Sequence, residues 1–436
     1  MGPTLVKIAY IGGGSAYAPG VLRAFTNQIS LFAGSEIALV DIDAGNLDIV
    51  RRLGEKMARA ARADLHITST LDRGAALRGA DFVLTSFRAG GFQARALDEK
   101  IPLKYGVIGQ ETVGPGGFFF ALRNMVVIRE LCAEMEEICP GAWLINYANP
   151  TNIVGEAVSR FSRVKMLALC DGGKHDAFNV ARILGHAPEE TEFLGLGLNH
   201  ATWSTRFTVA SKDGIELMWQ AYERVLSDPE VPGKWKRMFR LARRYGRLPN
   251  EYLQYYYFPE ETLAEAQAAP KTRAQTIMDE LPSLFAHYSE QAGQERPHLT
   301  HSRGGTGFGE FAVDVIAAIA SNSGRVEMIN LPNRGSFPSL PAGRVAEVPC
   351  RLDSAGATPL AQGDLPTELH GLISALADYQ ALAAEAAWYG DSSDLALKAL
   401  AANPLVWRLD AEQIEALYRE MAEAHRDWLP AGLRRD

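Results

Sequence analysis

The chain alternates two kinds of hydrophobic pattern. Short apolar runs over 6–11, 36–41, 82–86, 143–146 and 166–170 read as strands buried on both faces. Between them, 46–63 and 122–139 repeat apolar residues at helical spacing. Strand alternating with helix predicts a parallel sheet covered on both sides. In such a sheet, ligands collect at the C-terminal ends of the strands. Further on, helical patterns over 368–389 and 411–428 fit an outer layer without chemistry of its own.

The first strand shows what kind of ligand to expect. Lys7-Ile8-Ala9-Tyr10-Ile11 runs directly into Gly12-Gly13-Gly14-Ser15, and a helix-compatible segment follows. Glycine lets backbone approach a pyrophosphate closely, and the N–H groups opening the next helix point at the anion. The second strand ends in Asp41, an acid placed to accept ribose hydroxyls, with no arginine beside it to replace it. That combination favours NAD over its 2′-phosphorylated form. Tyr17 stands where a third glycine completes the usual fingerprint, and an unliganded turn uses similar glycines. The order of strand, glycines, helix and acid favours the dinucleotide. The expected fold is therefore α/β. A doubly wound parallel Rossmann-type sheet holds the cofactor over 1–170, and a second, mixed α/β, helix-rich domain follows over 171–436.

Composition narrows the class of partner. The 436 residues are 47% hydrophobic and 22% charged, enough for a large core and two domains. A formal net charge of −8 argues against nucleic acid. No apolar run is long enough to span a bilayer, and the N-terminus enters a strand without a basic, apolar leader. Cys132, Cys139, Cys170 and Cys350 match neither a zinc spacing nor a disulfide framework, so a reducing cytoplasm is the expected setting.

Candidate chemistry follows the strand ends. After 82–86 come Arg88 and Arg95 around Gly90-Gly91, guanidinium groups suited to a phosphate, sulfonate or carboxylate. The segment 109–118, with Gln110, Glu111, Thr112 and four glycines, precedes a helix; a solvated surface loop is the alternative reading. Asn149-Pro150 follows the next strand, where lactate and malate dehydrogenases carry a similar step, though Asn-Pro is also a common turn. Cys170-Asp171 closes the last parallel strand, and Asn199-His200 ends a short apolar segment further on. A thiolate and an imidazole suit a divalent transition metal completed by water or substrate oxygens. Spacing alone favours an inert buried cysteine and a satisfied core histidine.

Taken in order, these pieces resemble glycoside hydrolase family 4, the NAD- and metal-dependent glycosidases. The likeness continues through 249–257, where Tyr252-Leu253-Gln254-Tyr255 stands, then Thr272-Arg273-Ala274, Arg303-Gly304-Gly305 and 330–335. It spans Lys7 to about Cys350. The run 94–112 is most similar to the 6-phospho-glycosidase branch, especially its β members.

The resemblance implies an unusual hydrolysis. Bound NAD oxidises the sugar at C3, and the ketone acidifies the C2 proton. A divalent metal, usually Mn2+, steadies the enolate. A base takes the C2 proton, the aglycone is eliminated, water adds, and the hydride returns. It also implies roles: Cys170 and His200 as metal ligands, Asn149 and Asn199 on sugar hydroxyls, Tyr252 as base and Asp171 as acid to the leaving oxygen. A phenol needs a cation to lower its pKa, and the metal and Arg273 are the candidates; Arg273 would also bind substrate. Arg95, with Ser15 or Arg88, would clamp an anionic C6 group; Gly12, Gly13, Gly14, Ser15, Asp41 and Arg88 would hold NAD. Asp171 leans towards α-glycosides, whereas Gly172-Gly173 departs from both anomeric groups. The expected activity is 6-phospho-β-glucosidase, with the α-enzyme or a sulfonated substrate as alternatives. The family implies dimers or tetramers. Outside it, a 2-hydroxy-acid dehydrogenase lacks a convincing His–Asp pair in the second domain, and a dinucleotide sensor leaves Cys170, His200 and Tyr252 unexplained.

Overall fold

The computed structural model describes residues 4–303 and 309–434; Gly304 and Gly305 of the Arg303 segment lie outside them. Twelve strands form one sheet: β1 (Lys7–Ile11), β2 (Glu36–Val40), β3 (His66–Thr70), β4 (Phe82–Thr85), β5 (Trp143–Asn146), β6 (Lys165–Ala168), β7 (Thr191–Leu198), β8 (Ala201–Val209), β9 (Lys212–Asp213), β10 (Val326–Pro332), β11 (Val345–Asp353) and β12 (Gly356–Pro359). The order β3-β2-β1-β4-β5-β6 is parallel throughout and reverses direction of winding between β1 and β4. A crevice opens at such a reversal because the connections leave on opposite faces. Gly12 sits at it, with φ +92. A Cβ there would lie 2.3 Å from the carbonyl oxygen of Ser86, so the crossing of β1 past β4 requires glycine.

The sheet continues antiparallel. Asn330 of β10 pairs with Ala168 of β6, β11 lies along β10, and Glu347 of β11 pairs with Gly197 of β7. β7 and β8 form a hairpin whose pairing closes at Leu198–Ala201, so Asn199-His200 is a two-residue turn. His200 adopts φ +63 there, a conformation few non-glycine residues take. The end of β6, this turn and the middle of β11 therefore meet at one place.

Three expectations change. The strand β3 was not anticipated: His66-Ile67-Thr68-Ser69-Thr70 buries only Ile67, as an edge strand can. The predicted helix over 122–139 begins earlier and spans Gly114–Ile138, with Gly114 through Met125 buried. Segment 109–118 is thus no solvated surface loop. Its glycines are packing residues: a Cβ on Gly116 would lie 2.2 Å from the Gln110 carbonyl oxygen, and one on Gly117 2.3 Å from the Thr112 carbonyl carbon. The C-terminal pattern resolves into helices Thr367–Tyr389, Ser393–Ala401 and Ala411–Ala424. Their buried faces belong to the same core as the parallel strands. No helix among the described residues is long and apolar enough to cross a membrane.

Candidate active site

Cys170 lies just past the end of β6, and the β7–β8 turn brings His200 to it. Sγ of Cys170 is 3.6 Å from Nε2 of His200. The other ring nitrogen, Nδ1, is 3.2 Å from the hydroxyl of Thr112, which orients the imidazole from the loop before the Gly114–Ile138 helix. Burial pulls the His200 pKa down to about 3, so the ring is neutral; the Thr112 hydroxyl donates to Gln110 at 2.9 Å, so Nδ1 donates to it and Nε2 keeps the lone pair. Burial, reinforced by the negative charges of Glu347 and Asp171, raises the Cys170 thiol well above its ordinary range. A nearby cation reverses that balance, because it favours the thiolate.

Asn199 completes this corner. Its Nδ2 donates to Oε2 of Glu347 at 2.8 Å, and its buried Oδ1 has no hydrogen-bond partner. Sequence reasoning missed Glu347. It lies in the buried first half of its strand, and only the β10–β11–β7 pairing carries it here. Burial lifts its pKa to about 7. The donor set therefore suits a divalent metal: a thiol and a neutral imidazole in contact, with an unpartnered amide oxygen next in the chain. Among the described residues no group of three or more His, Cys, Asp or Glu is arranged to hold a metal. Such an ion would depend on non-protein oxygens to fill its shell.

Tyr252 stacks on His200, with ring centroids 3.9 Å apart and planes 5° from parallel. Asn250 caps the short turn that carries it, accepting from the Tyr252 N–H at 3.1 Å. In turn Asn250 donates to the buried carboxylate of Asp176 at 3.1 Å, which also accepts from the Glu251 N–H at 2.8 Å. Arg273, expected to help lower the Tyr252 pKa, is not among the main groups acting on the phenol. Burial pushes the phenol well up, and the neighbouring charges of Glu251 and Glu111 push the same way. Arg273 instead opens the Arg273–Ala292 helix and lines a cavity of about 540 Å³ with Tyr17, His301 and Arg303. Asp171 precedes the Gly172–Ile183 helix without capping it, and burial raises its carboxyl pKa.

The arginines are already paired within the protein. Arg95 is not a free clamp: Nε donates to Glu99 at 2.7 Å and Nη1 pairs with Glu111 at 2.9 Å. Glu111 also contacts Arg88, whose guanidinium lies 4.1 Å over the Phe120 ring. Two arginines and two carboxylates thus form a buried, formally neutral cluster. Nη1 of Arg88 remains buried without a hydrogen-bond partner. Asn149 precedes a cis peptide to Pro150, and its Oδ1 accepts from Thr151 N–H at 3.3 Å.

At the other end of the crevice the glycine turn is tied to the acid. The N–H of Gly14 donates to Asp41 Oδ2 at 2.9 Å, while Oδ1 accepts from Ile42 N–H at 2.7 Å. Asp41 therefore shapes the turn as well as facing it. The N–H of Gly13 bonds to the Val40 carbonyl at 2.9 Å. Ser15 Oγ is buried and unpartnered. A glycine cradle, a carboxylate and an orphaned hydroxyl at the sheet's reversal fit a dinucleotide.

Fold and site together define a nucleotide-binding α/β enzyme scaffold with a thiol–imidazole pair at its strand ends. The family model for family 4 glycosyl hydrolases matches residues 7–185, and that for their C-terminal domain matches 195–406. The chain belongs to glycosyl hydrolase family 4. The C-terminal match extends past Cys350, where the sequence resemblance ended. A probable 6-phospho-beta-glucosidase of Bacillus subtilis (strain 168) is 36% identical over 98% of this chain and 97% of its own length. Among solved structures, a 6-phospho-alpha-glucosidase from gut microorganisms in complex with NAD and Mn2+ superposes with a TM-score of 0.87, at 27% identity over 98% of this chain and 99% of that one. A 6-phospho-beta glucosidase of Thermotoga maritima, with manganese, NAD+ and glucose-6-phosphate, gives 0.84 at 28% identity over 97% and 99%.

Proposed function

We propose that this enzyme hydrolyses 6-phospho-glucosides, with the β anomer as substrate, using NAD and a divalent metal, Mn2+ foremost. The observation that carries the reading is the 3.6 Å contact between Cys170 and His200, on the strand-end side of a sheet whose reversal carries the glycine cradle. The names of the relatives support the 6-phospho substrate class.

Gly12, Gly13, Gly14, Ser15 and Asp41 would hold NAD, with Arg88 beside them; Cys170 and His200 would hold the metal. When bound, the dinucleotide supplies reversible hydride acceptance from a sugar carbon, and the cation supplies Lewis acidity towards sugar oxygens. The protein's own groups do the rest. Thr112 fixes the His200 tautomer, and Glu347 fixes the flip of the Asn199 amide so that its oxygen stays an acceptor for a hydroxyl proton. Tyr252 would take a proton from the carbon beside the oxidised one as its phenolate, the form that the charge of a bound cation would favour; its stacking on His200 sets the phenol's approach. Asp171, whose carboxyl desolvation lifts above its ordinary range, gives its proton to the departing oxygen. Arg88, Arg95 and Ser15 receive the anionic group. The protein acts as a homo-oligomer, as the family resemblance implies.

The buried carboxyl of Asp171 also supports the α anomer, because direct protonation suits a leaving group on either face when the bond breaks by elimination. The test is an incubation with NAD, Mn2+, a reductant and nitrophenyl 6-phospho-glucosides of each anomer. Nitrophenol release from the β compound without accumulating NADH supports the proposal, and release from the α compound alone reassigns the anomer. Stoichiometric NADH formation with a hydroxy acid, and no nitrophenol, refutes it.

A further inference from the structure

We propose that Glu99 is the positioning residue of the anion pocket: one buried carboxylate sets Arg95 and the start of the Arg273–Ala292 helix in a single register. The proposal rests on the reading of Arg95 as a receptor for the substrate's anionic group. Glu99 and Arg95 are four residues apart on the Gly91–Lys100 helix, and both are buried, at 6% and 7% exposure. Oε1 of Glu99 accepts from Nε of Arg95 at 2.7 Å. Its second oxygen accepts from the backbone N–H of Ala274 at 2.8 Å. That N–H belongs to the first turn of the next helix, whose N–H groups lack partners within the helix itself. Thr272 caps the same turn, accepting from the Gln275 N–H at 3.3 Å.

The carboxylate therefore has one oxygen on the guanidinium and the other on a separate element. With Nε on Glu99 and Nη1 on Glu111 at 2.9 Å, Arg95 keeps its other terminal nitrogen and the second N–H of Nη1 as the donors an anion can meet. A fork held at Nε has little rotational freedom, so less order is lost when an anion binds. Held together, Arg95 and the turn that opens with Arg273 keep a constant separation. Arg273, which opens that turn, lines a cavity with Tyr17 and Arg303. A neutral amide cannot replace this carboxylate. Its oxygen accepts from one donor, and its NH2 then faces the other. Glu99→Gln keeps the volume and breaks one of the two bonds.

The test uses the full chain with NAD and Mn2+. For wild type, Arg95→Met and Glu99→Gln it compares kcat/KM on nitrophenyl 6-phospho-glucoside with kcat/KM on the unphosphorylated glucoside. It also measures glucose 6-phosphate binding by calorimetry. The expected result is a fall of about tenfold or more in the phospho-to-neutral ratio in both variants, carried by KM, with weaker glucose 6-phosphate binding. Glu99→Asp, which keeps the charge but is too short to span both partners, should show the same loss if the Gln variant does not fold. A ratio unchanged in Glu99→Gln and Glu99→Asp but lost in Arg95→Met overturns the role of Glu99 alone. Equal losses on both substrates also overturn it, since they describe general damage. A wild type that shows no preference for the phosphorylated substrate instead overturns the anionic-substrate reading itself.

Discussion

Cys170 and His200 matter because each is poorly suited to a solitary role. A thiol raised by burial is a weak nucleophile, and an imidazole with a pKa of about 3 is a weak base. Side by side they form a good pair of metal donors. Cys170→Ser and His200→Ala should each lower Mn2+-dependent turnover by on the order of a thousandfold, the scale of several kcal/mol of Lewis-acid stabilisation. NAD affinity, measured by fluorescence titration, should change little, because the glycine turn stands on other strands. Tyr252→Phe isolates the phenol from the ring. The stack on His200 survives, so Mn2+ affinity should hold, while hydrolysis falls about a hundredfold or more for loss of a positioned base. Normal turnover in that variant removes Tyr252 from the chemistry. The residues legible in advance were those whose type is rare in its place: a cysteine at a strand end, a histidine in a turn, a tyrosine opening a short pattern. Glu347 and Glu99 were not legible as site groups, because a glutamate in a chain of this charge is ordinary until pairing buries it. The neutralisation of Arg95 was hidden for the same reason.

Elements were read best where pattern and packing agree. The parallel strands are buried on both faces and show as apolar runs. The edge strand β3 escaped because four of its five residues are exposed or only partly buried. The Gly114–Ile138 helix was shortened in prediction because Gly114-Pro115-Gly116-Gly117 looks like a loop; close backbone neighbours demand those glycines, and proline is tolerated in a first turn. The same contrast gives a prediction for the glycine turn. Gly12→Ala places a methyl against the Ser86 carbonyl at a positive φ, and should cost about 2 kcal/mol or more and abolish NAD binding. Gly79→Ala, also at positive φ but with nothing within 4 Å, should cost about 1 kcal/mol and leave NAD binding intact. Thermal melts and NAD titrations of the two variants check both. Equal NAD affinity in the two would mean that the turn does not cradle the cofactor.

At the scale of the molecule, one sheet joins two chemistries. Its parallel half brings a glycine turn and an acid to the reversal between β1 and β4, and its antiparallel half returns β7, β8 and β11 beside the end of β6. The first half was legible as a rhythm of strands and helices. The second was not: β7 and β8 are a local hairpin, but β10 and β11 join it to β6 by pairing across long stretches of chain, which no local pattern reports. That return places the Cys170–His200 pair on the same sheet as the glycine cradle, so a dehydrogenase-like scaffold can serve hydrolysis. The central claim is that the sugar loses the proton beside a transiently oxidised carbon. Hydrolysis of nitrophenyl 6-phospho-glucoside in deuterium oxide, with NAD and Mn2+ present, tests it most directly. The recovered glucose 6-phosphate should carry solvent deuterium at C2 while no NADH accumulates; glucose 6-phosphate with only protium at C2 refutes the proposed mechanism.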